Sequence, residues 1–539
     1  MSALVLIVIG IICFLVAYVT YGAWLAKQWG IDPSKKTPAC TQYDGVDYCP
    51  AKAPVLLGHH FSSIAGAGPI VGPITAAVFG WVPVALWIII GSIFVGGVHD
   101  FGALIASVRH GGKSIGEVIE ANIGKTGKKL FAVFAWLTLI LVIAAFLNIV
   151  ANTFVSTPSA GTASILFIFL AMAFGYLLNS KKYGLGVLTI AGVAVLLLCI
   201  YVGQLFPLVL PAKTWIYILI VYIFAASVMP VWLLLQPRDY LNSYLLYAIL
   251  AGAVIGIILT NPSLEMPAFT GFYVNKMYLF PMLFVVVACG AISGFHSLVG
   301  SGTTSKQLES EKDARLVGYG SMLIEGVLAL LALITAAYLV GPKLSELLKG
   351  GPINVFADGV GTFLTAFNIP HAIGKQFGAL ALSAFALTSL DTATRLGRFI
   401  FQEFFLETGQ KEGSVITNRF VATGITVVLG ATLAFYGWAK VWPMFGSANQ
   451  LLAALALITV AVWLKKSGRN NKMLIIPTIF MFAATLTALL LLAQANIAGG
   501  NFMLVFFAVV LFILAIILIV QAVKALSGPP SSKEPSIKA

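Results

Sequence analysis

The stretch His59–Pro73, HHFSSIAGAGPIVGP, constrains this chain most, because it sits inside an apolar run from about Pro54 to Gly80. A run of that length reads as a membrane helix. Yet Gly66, Gly68 and Gly72 supply no side chain to stabilise a helix, and Pro69 and Pro73 carry no amide hydrogen. The pattern predicts a helix broken near the middle of the bilayer. Bare backbone at that depth is tolerated only when it is buried in protein or lines a cavity, so the break marks a candidate ligand or ion site.

The rest of the chain agrees with a membrane setting. Its 539 residues are 60% hydrophobic and 9% charged, with a mean hydropathy of +0.99. Apolar runs of twenty or more residues exclude buried strands and a soluble domain. The expected fold is an all-α polytopic membrane protein of about fifteen transmembrane helices. The first run, Ala3 to Ala26, is too long for a signal sequence and reads as a retained helix. A net charge of +13 invites a nucleic-acid partner, but the basic residues lie between apolar runs rather than on one face, so none is expected.

Charge distribution orients the chain. One set of alternate loops carries 26 of the 32 lysines and arginines, Arg238 among them. That set is cytoplasmic, which places the N-terminus outside and the C-terminus inside. Cys40 and Cys49 then lie inside and are reduced. Within these loops, Ser114-Ile115-Gly116-Glu117 fits a capping box that opens a short surface helix. The outer loop 341–375 is long enough to cover an entrance or to serve as a plain linker.

Five spans after 54–80 comes 214–236, with Ser227-Val228-Met229-Pro230 near its centre. An odd spacing threads the two through the membrane in opposite senses. This predicts a five-plus-five inverted-repeat core, with substrate bound where the two breaks meet. The expected divisions are an N-terminal helix and loop (1–53), a first repeat (54–206), a second repeat (207–400), four additional helices (401–526) and a disordered tail (527–539). Substrate-binding candidates are Ala65, Gly66, Gly68 and Pro69 at one break and Ser227, Met229, Pro230 and Trp232 at the other. Half-helix N-termini near Gly68–Val71 and Trp232 favour a carboxylate.

Ionisable residues at depth are the other signal. His59, His60, His99, Asp100, Glu325 and Asp391 reach a similar level in the inner half of the membrane, and His296 lies just inside the midplane. A proton pathway would use the histidines. A sodium site would instead use carbonyls freed near Ala65 or Gly66 with hydroxyls such as Ser293, Ser297 or Thr303. The histidines favour protons as the coupling ion. Asp100 and Asp391 could alternatively pair with Arg109, Arg395 or Arg398, while Asn148, Asn152, Asn449 and Gln450 fit helix–helix hydrogen bonds or the edge of a cavity. No metal or cofactor is expected. Competing readings are a metal- or haem-binding membrane protein using His59, His60, His99 and His296, and an uncoupled channel or nutrient sensor.

HHFSSIAGAGPIVGP, GWVPVALWIIIGSIFVGGVHDF, SLDTATRLGR and DGVDYCP together resemble the carbon starvation protein A family of bacterial inner-membrane transporters. The likeness covers nearly the whole chain. It implies an APC-type five-plus-five core and import of small carboxylated carbon sources, peptides or pyruvate, by a non-enzymatic symporter induced in carbon starvation. It supplies no residue roles.

Overall fold

The computed structural model describes residues 2–45, 47–180, 182–339, 341–405, 415–435 and 438–527. Most of the expected tail lies outside them. Among the described residues, twelve helices are long and apolar enough to cross a membrane, or thirteen when one bent pair is counted as a span. Ala212–Val228 and Arg419–Ala434 are apolar but shorter, and the expected count of fifteen depends on including both.

The loops gather at two ends of the bundle. At the basic end, Arg109 Nη2 donates to Glu311 Oε2 at 2.9 Å, and Ala51 N donates to Gln307 O at 2.9 Å. At the other end, Ala3 N donates to Pro262 O and Glu265 N to Ala337 O. All five cysteines are free. Ile115–Asn122 forms the short helix expected at the basic end, but without its capping box. Ser114 Oγ turns instead to Glu403 Oε2, while Glu117 pairs with Lys128.

The first break is where the glycines and prolines put it. Ala53–Ile64 and Gly68–Phe79 meet at a 43° bend, with Pro69 at the start of the second half, where a missing amide hydrogen is harmless. A second interruption lies in the span Leu279–Lys306, where Leu279–Val287 gives way to Ala288–Gly290 before Gly294–Gly302 resumes. Ala288 (φ 43°) and an extended Ser293 turn the chain there. The two interruptions cross in contact. A β-carbon on Gly68 would lie 2.5 Å from Cys289 Sγ, and one on Gly72 would lie 2.4 Å from Val287 O, so neither position accepts a side chain.

This corrects the expected partner of the first break. Ala212–Val228 spans about 25 Å at 1.5 Å per residue, so Ser227 closes a helix and does not interrupt one. Met229 is extended, Pro230 ends the helix, and a new helix runs Leu235–Thr260. Residues 214–236 are therefore one helix, a turn and the start of another. The proline is a terminator.

Two long helices, Lys125–Ser156 and His371–Phe405, pack on each other through the centre. Each follows a shorter helix, Ile115–Asn122 in one case and Pro352–Leu364 in the other. The loop 341–375 is thus no plain linker: Pro352–Leu364 buries Val355, Phe356, Val360 and Phe363. The helices Trp81–Arg109 and Glu311–Ala337 each contain a π-helical turn, at Ser92–Gly96 and Arg315–Gly320.

Candidate functional site

The adjacent histidines of the first broken helix diverge, as residues about 100° apart must. His59 and His60 serve different neighbourhoods, and both are buried.

His59 Nδ1 lies 2.8 Å from Asp239 Oδ2. Arg238, one residue earlier, donates through Nη2 to Asp239 Oδ1 at 2.8 Å, and Thr388 Oγ1 donates to the same oxygen at 3.0 Å. The guanidinium also reaches Asp391 Oδ2 and Tyr222 OH through Nη1, and Tyr222 OH donates to Asp391 Oδ2 at 2.6 Å. Four helices thus share one ion-pair network built on a permanent cation. Arg238 is 1% exposed, so the loop position expected for it is wrong. The Gln236-Pro237-Arg238 string reads as a turn, but it forms the first turn of a buried helix.

A second network lies on the other side. His99 Nδ1 is 2.7 Å from Asp100 Oδ1, and His296 Nδ1 is 2.9 Å from Asp100 Oδ2. Glu325 Oε2 approaches His296 Nε2 at 3.4 Å without hydrogen-bond geometry. His99 Nε2 and both Glu325 oxygens are buried without a hydrogen-bond partner among the described residues. Nearby, His60 Nδ1 is 2.8 Å from Thr304 Oγ1. Every ionisable member of this cluster can gain or lose a proton.

The alternative pairing of Asp100 and Asp391 with rim arginines is not found among the described residues. Arg109 holds Glu311, and Arg395 Nη2 donates to Asp47 Oδ1 at 2.6 Å. The four histidines of the metal-site alternative divide among Asp239, Thr304 and the two oxygens of Asp100. Among the described residues, no group of three or more His, Cys, Asp or Glu is arranged to hold a metal ion.

Hydroxyls and amides complete the breaks. Ser389 Oγ donates to Ser63 O at 2.9 Å, and Ser63 Oγ is 3.3 Å from Thr392 Oγ1. At the first break, Ser389 and Thr392 of His371–Phe405 thus meet Ser63, while the candidates Ser293, Ser297 and Thr303 bond elsewhere. Ser297 and Thr303 donate to carbonyls of their own helix, while Ser293 accepts from Asn449 Nδ2 at 3.0 Å. Asn449 Oδ1 also caps the resumed helix through Phe295 N at 2.8 Å, and Gln450 Nε2 donates to Ile292 O. These two amides are the interhelical bonds expected of them.

Ala65, Gly66, Gly68 and Pro69 are all buried at the first break. The other substrate candidates stand apart. Ser227 Oγ lies 3.3 Å from Thr423 Oγ1, Met229 O accepts from Arg395, and Trp232 Nε1 donates to Gly45 O at 3.0 Å. Pro230 occupies the same turn, so Met229–Trp232 belongs to a latch with the loop before the first broken helix. Burial alone would raise the Asp47 carboxyl in that latch, but Arg395, Lys306 and Arg398 outweigh it and hold it below the usual carboxylate range.

A cavity of about 720 Å³ opens away from the basic end. Its lining includes Val71 of the first broken helix, Asn152 and Ser156 of one long helix, and Lys375 and Gln376 of the other. It holds neither ionisable cluster, and it ends three residues beyond Gly68.

Known proteins place this arrangement. The family description "Carbon starvation protein CstA" matches residues 2–347 and 340–488. The pyruvate/proton symporter BtsT of Escherichia coli (strain K12) is 32% identical across 90% of this chain and 81% of its own length. The peptide transporter CstA of the same organism is 31% identical across 99% and 92%, and that of Bacillus subtilis (strain 168) is 31% identical across 99% and 98%. Among solved structures, a manganese transporter of Eremococcus coleocola in complex with an aromatic bis-isothiourea substituted compound superposes with a TM-score of 0.53 at 13% identity. That match covers 90% of this chain and 98% of the other, a likeness of fold alone, of the LeuT type. By its sequence matches along almost its whole length, the chain belongs to the carbon starvation protein CstA family of membrane transporters.

Proposed function

We propose that the protein imports small carboxylated carbon sources, short peptides or pyruvate, by proton symport across a bacterial inner membrane during carbon starvation. The observation that carries the reading is His296, held between Asp100 and Glu325 where, among the described residues, no permanent cation neutralises either carboxylate. A proton arriving there changes the net charge of a buried cluster, and Coulomb forces in low dielectric make that change large. The symport activity of the BtsT relative supports the same assignment.

The core in this reading is a five-plus-five inverted repeat, with Leu279–Lys306 opening the second half. It follows the first broken helix by an odd number of spans, so the two run oppositely. The helices Pro158–Asn179 and Leu185–Leu205, the latter with much of its surface exposed, are an inserted hairpin outside the repeat. The matched π-helical turns and the short helix before each long one support that pairing. With fifteen spans the N-terminus is outside and the C-terminus cytoplasmic, and the cavity faces outward. Substrate binds at Ala65–Pro69, and the Asp47–Arg395 latch closes the inner exit. Protonation and substrate together favour the inward-open state by their difference in affinity for the two states.

Sodium coupling has an observation of its own, the oxygens of Ser63, Ser389 and Thr392 at the first break. Uptake of labelled pyruvate and of dialanine into proteoliposomes, with proton and sodium gradients imposed separately, tests both. Accumulation driven by the proton gradient alone is expected. Accumulation driven only by sodium would overturn proton coupling, and uptake unaffected by collapsing both gradients would indicate a channel.

A further inference from the structure

Three helices begin at the cavity wall. Thr157–Ser159 open Pro158–Asn179, Gly351–Asn354 open Pro352–Leu364, and Ala372, Lys375 and Gln376 lie in the first turns of His371–Phe405. The first four amides of a helix lack partners within it, and each N-terminus carries about half a positive charge. No side chain caps the first two of these helices. Among the described residues lining the cavity, Lys375 is the only charged one.

Lys375 is not consumed by its own ion pair. Its Nζ lies 3.2 Å from Asp358 Oδ1, but His371 Nε2 and Lys343 Nζ approach the same carboxylate at 3.5 and 3.9 Å. Asp358 is 7% exposed at its side chain and Lys375 is 34% exposed. The lysine on the cavity side can therefore turn to an arriving anion while Lys343 stays within ion-pair distance of Asp358.

We propose that this cavity is a docking site for the substrate's carboxylate, with Lys375 as its charged contact and the three helix N-termini supplying the surrounding positive field. Asn152, Thr153 and Ser156 offer hydrogen bonds to the remainder of the molecule. The volume lies in the range of small-molecule sites and accommodates a dipeptide as well as a keto acid. The site deepens the transport reading, since it places a first binding step before the break.

The test is equilibrium binding of labelled pyruvate and labelled dialanine to the purified full-length protein, with dialanine amide, which lacks the carboxylate, as the third ligand. Lys375→Gln is expected to weaken the two acids about tenfold or more, the loss typical of one charged hydrogen bond, and to leave the amide within about twofold. Lys375→Arg should restore most of the affinity, and Lys276→Gln, an exposed lysine at the same end, should change nothing. Weakening of only one acid identifies the source of the carboxylate. Unchanged affinity for both acids in Lys375→Gln, equal weakening by Lys276→Gln, or no binding of either acid to the unaltered protein would overturn the proposal. Binding without gradient-driven uptake would leave the docking site standing and remove the transport reading.

Discussion

The two ionisable clusters flanking the first broken helix look alike in composition and differ in one respect. The Arg238–Asp239–Asp391 network contains a guanidinium that stays charged under all ordinary conditions, so its two carboxylates share a cation that cannot lose its charge. The His99–Asp100–His296–Glu325 network contains only groups that exchange protons. In the transport reading proposed above, the permanent cation makes a joint and its absence makes a switch. The lesson is that depth and residue type alone do not identify a relay. What identifies it is whether the charge can leave.

That distinction can be broken experimentally. Arg238→Gln leaves Asp239 and Asp391 buried without their shared cation, and losing one partner of such a pair destabilises by about 3–5 kcal/mol. A large fall in thermal stability in detergent is expected, with partial recovery on adding Asp391→Asn. Stability equal to that of the unaltered protein would erase the difference between the clusters.

The effect in the other cluster should be functional. His296→Gln and Glu325→Gln are expected to fold, to retain substrate exchange at equal concentrations, and to lose about five- to 150-fold in proton-driven accumulation, the usual span of a coupling energy. Loss of exchange and accumulation together would make this cluster a joint as well.

The smallest effect belongs to the latch, which also contains an arginine. The Asp47 carboxyl is held below its ordinary value of 3.8. Its contribution is therefore present above that value and lost only as pH falls through the lowered one. From about pH 5 to 8 the latch does not titrate. In a Cys40→Ser background, Asp47→Asn should raise the maleimide labelling rate of buried Cys49 by about two- to fivefold, since a partly exposed pair contributes up to about 1 kcal/mol. The unaltered protein should label at a rate that follows thiolate concentration alone. A further pH dependence centred near neutrality would mean the latch senses the proton itself.

How much of this was legible in the chain follows from which residues announce their geometry. The first break was readable because Gly66, Gly68, Pro69, Gly72 and Pro73 each remove something a helix needs. The second was not, because Ala288-Cys289-Gly290-Ala291-Ile292-Ser293 contains no proline and one glycine, and its turn is stabilised from outside by Asn449 and Gln450. Local sequence cannot report a tertiary cap. Pro230 had the opposite fault, since a proline that ends a helix is indistinguishable in sequence from one that interrupts it. Arg238 and Asp239 were hidden for a related reason. Two adjacent charges after Gln236-Pro237 read as solvent-facing, and only the facing Asp391 and His59 reveal that they neutralise one another. His296, Asp100 and Glu325 were visible singly because each interrupts an apolar run.

The crossing of the breaks has a mechanical consequence. With only hydrogen atoms on Gly68 and Gly72 separating one chain from the backbone and thiol of the other, there is no compressible side-chain layer to absorb relative sliding. Tilting either half-helix must therefore drag its neighbour, as two spokes on one axle turn together. A rotation of one half-helix at this crossing would pass to the other directly.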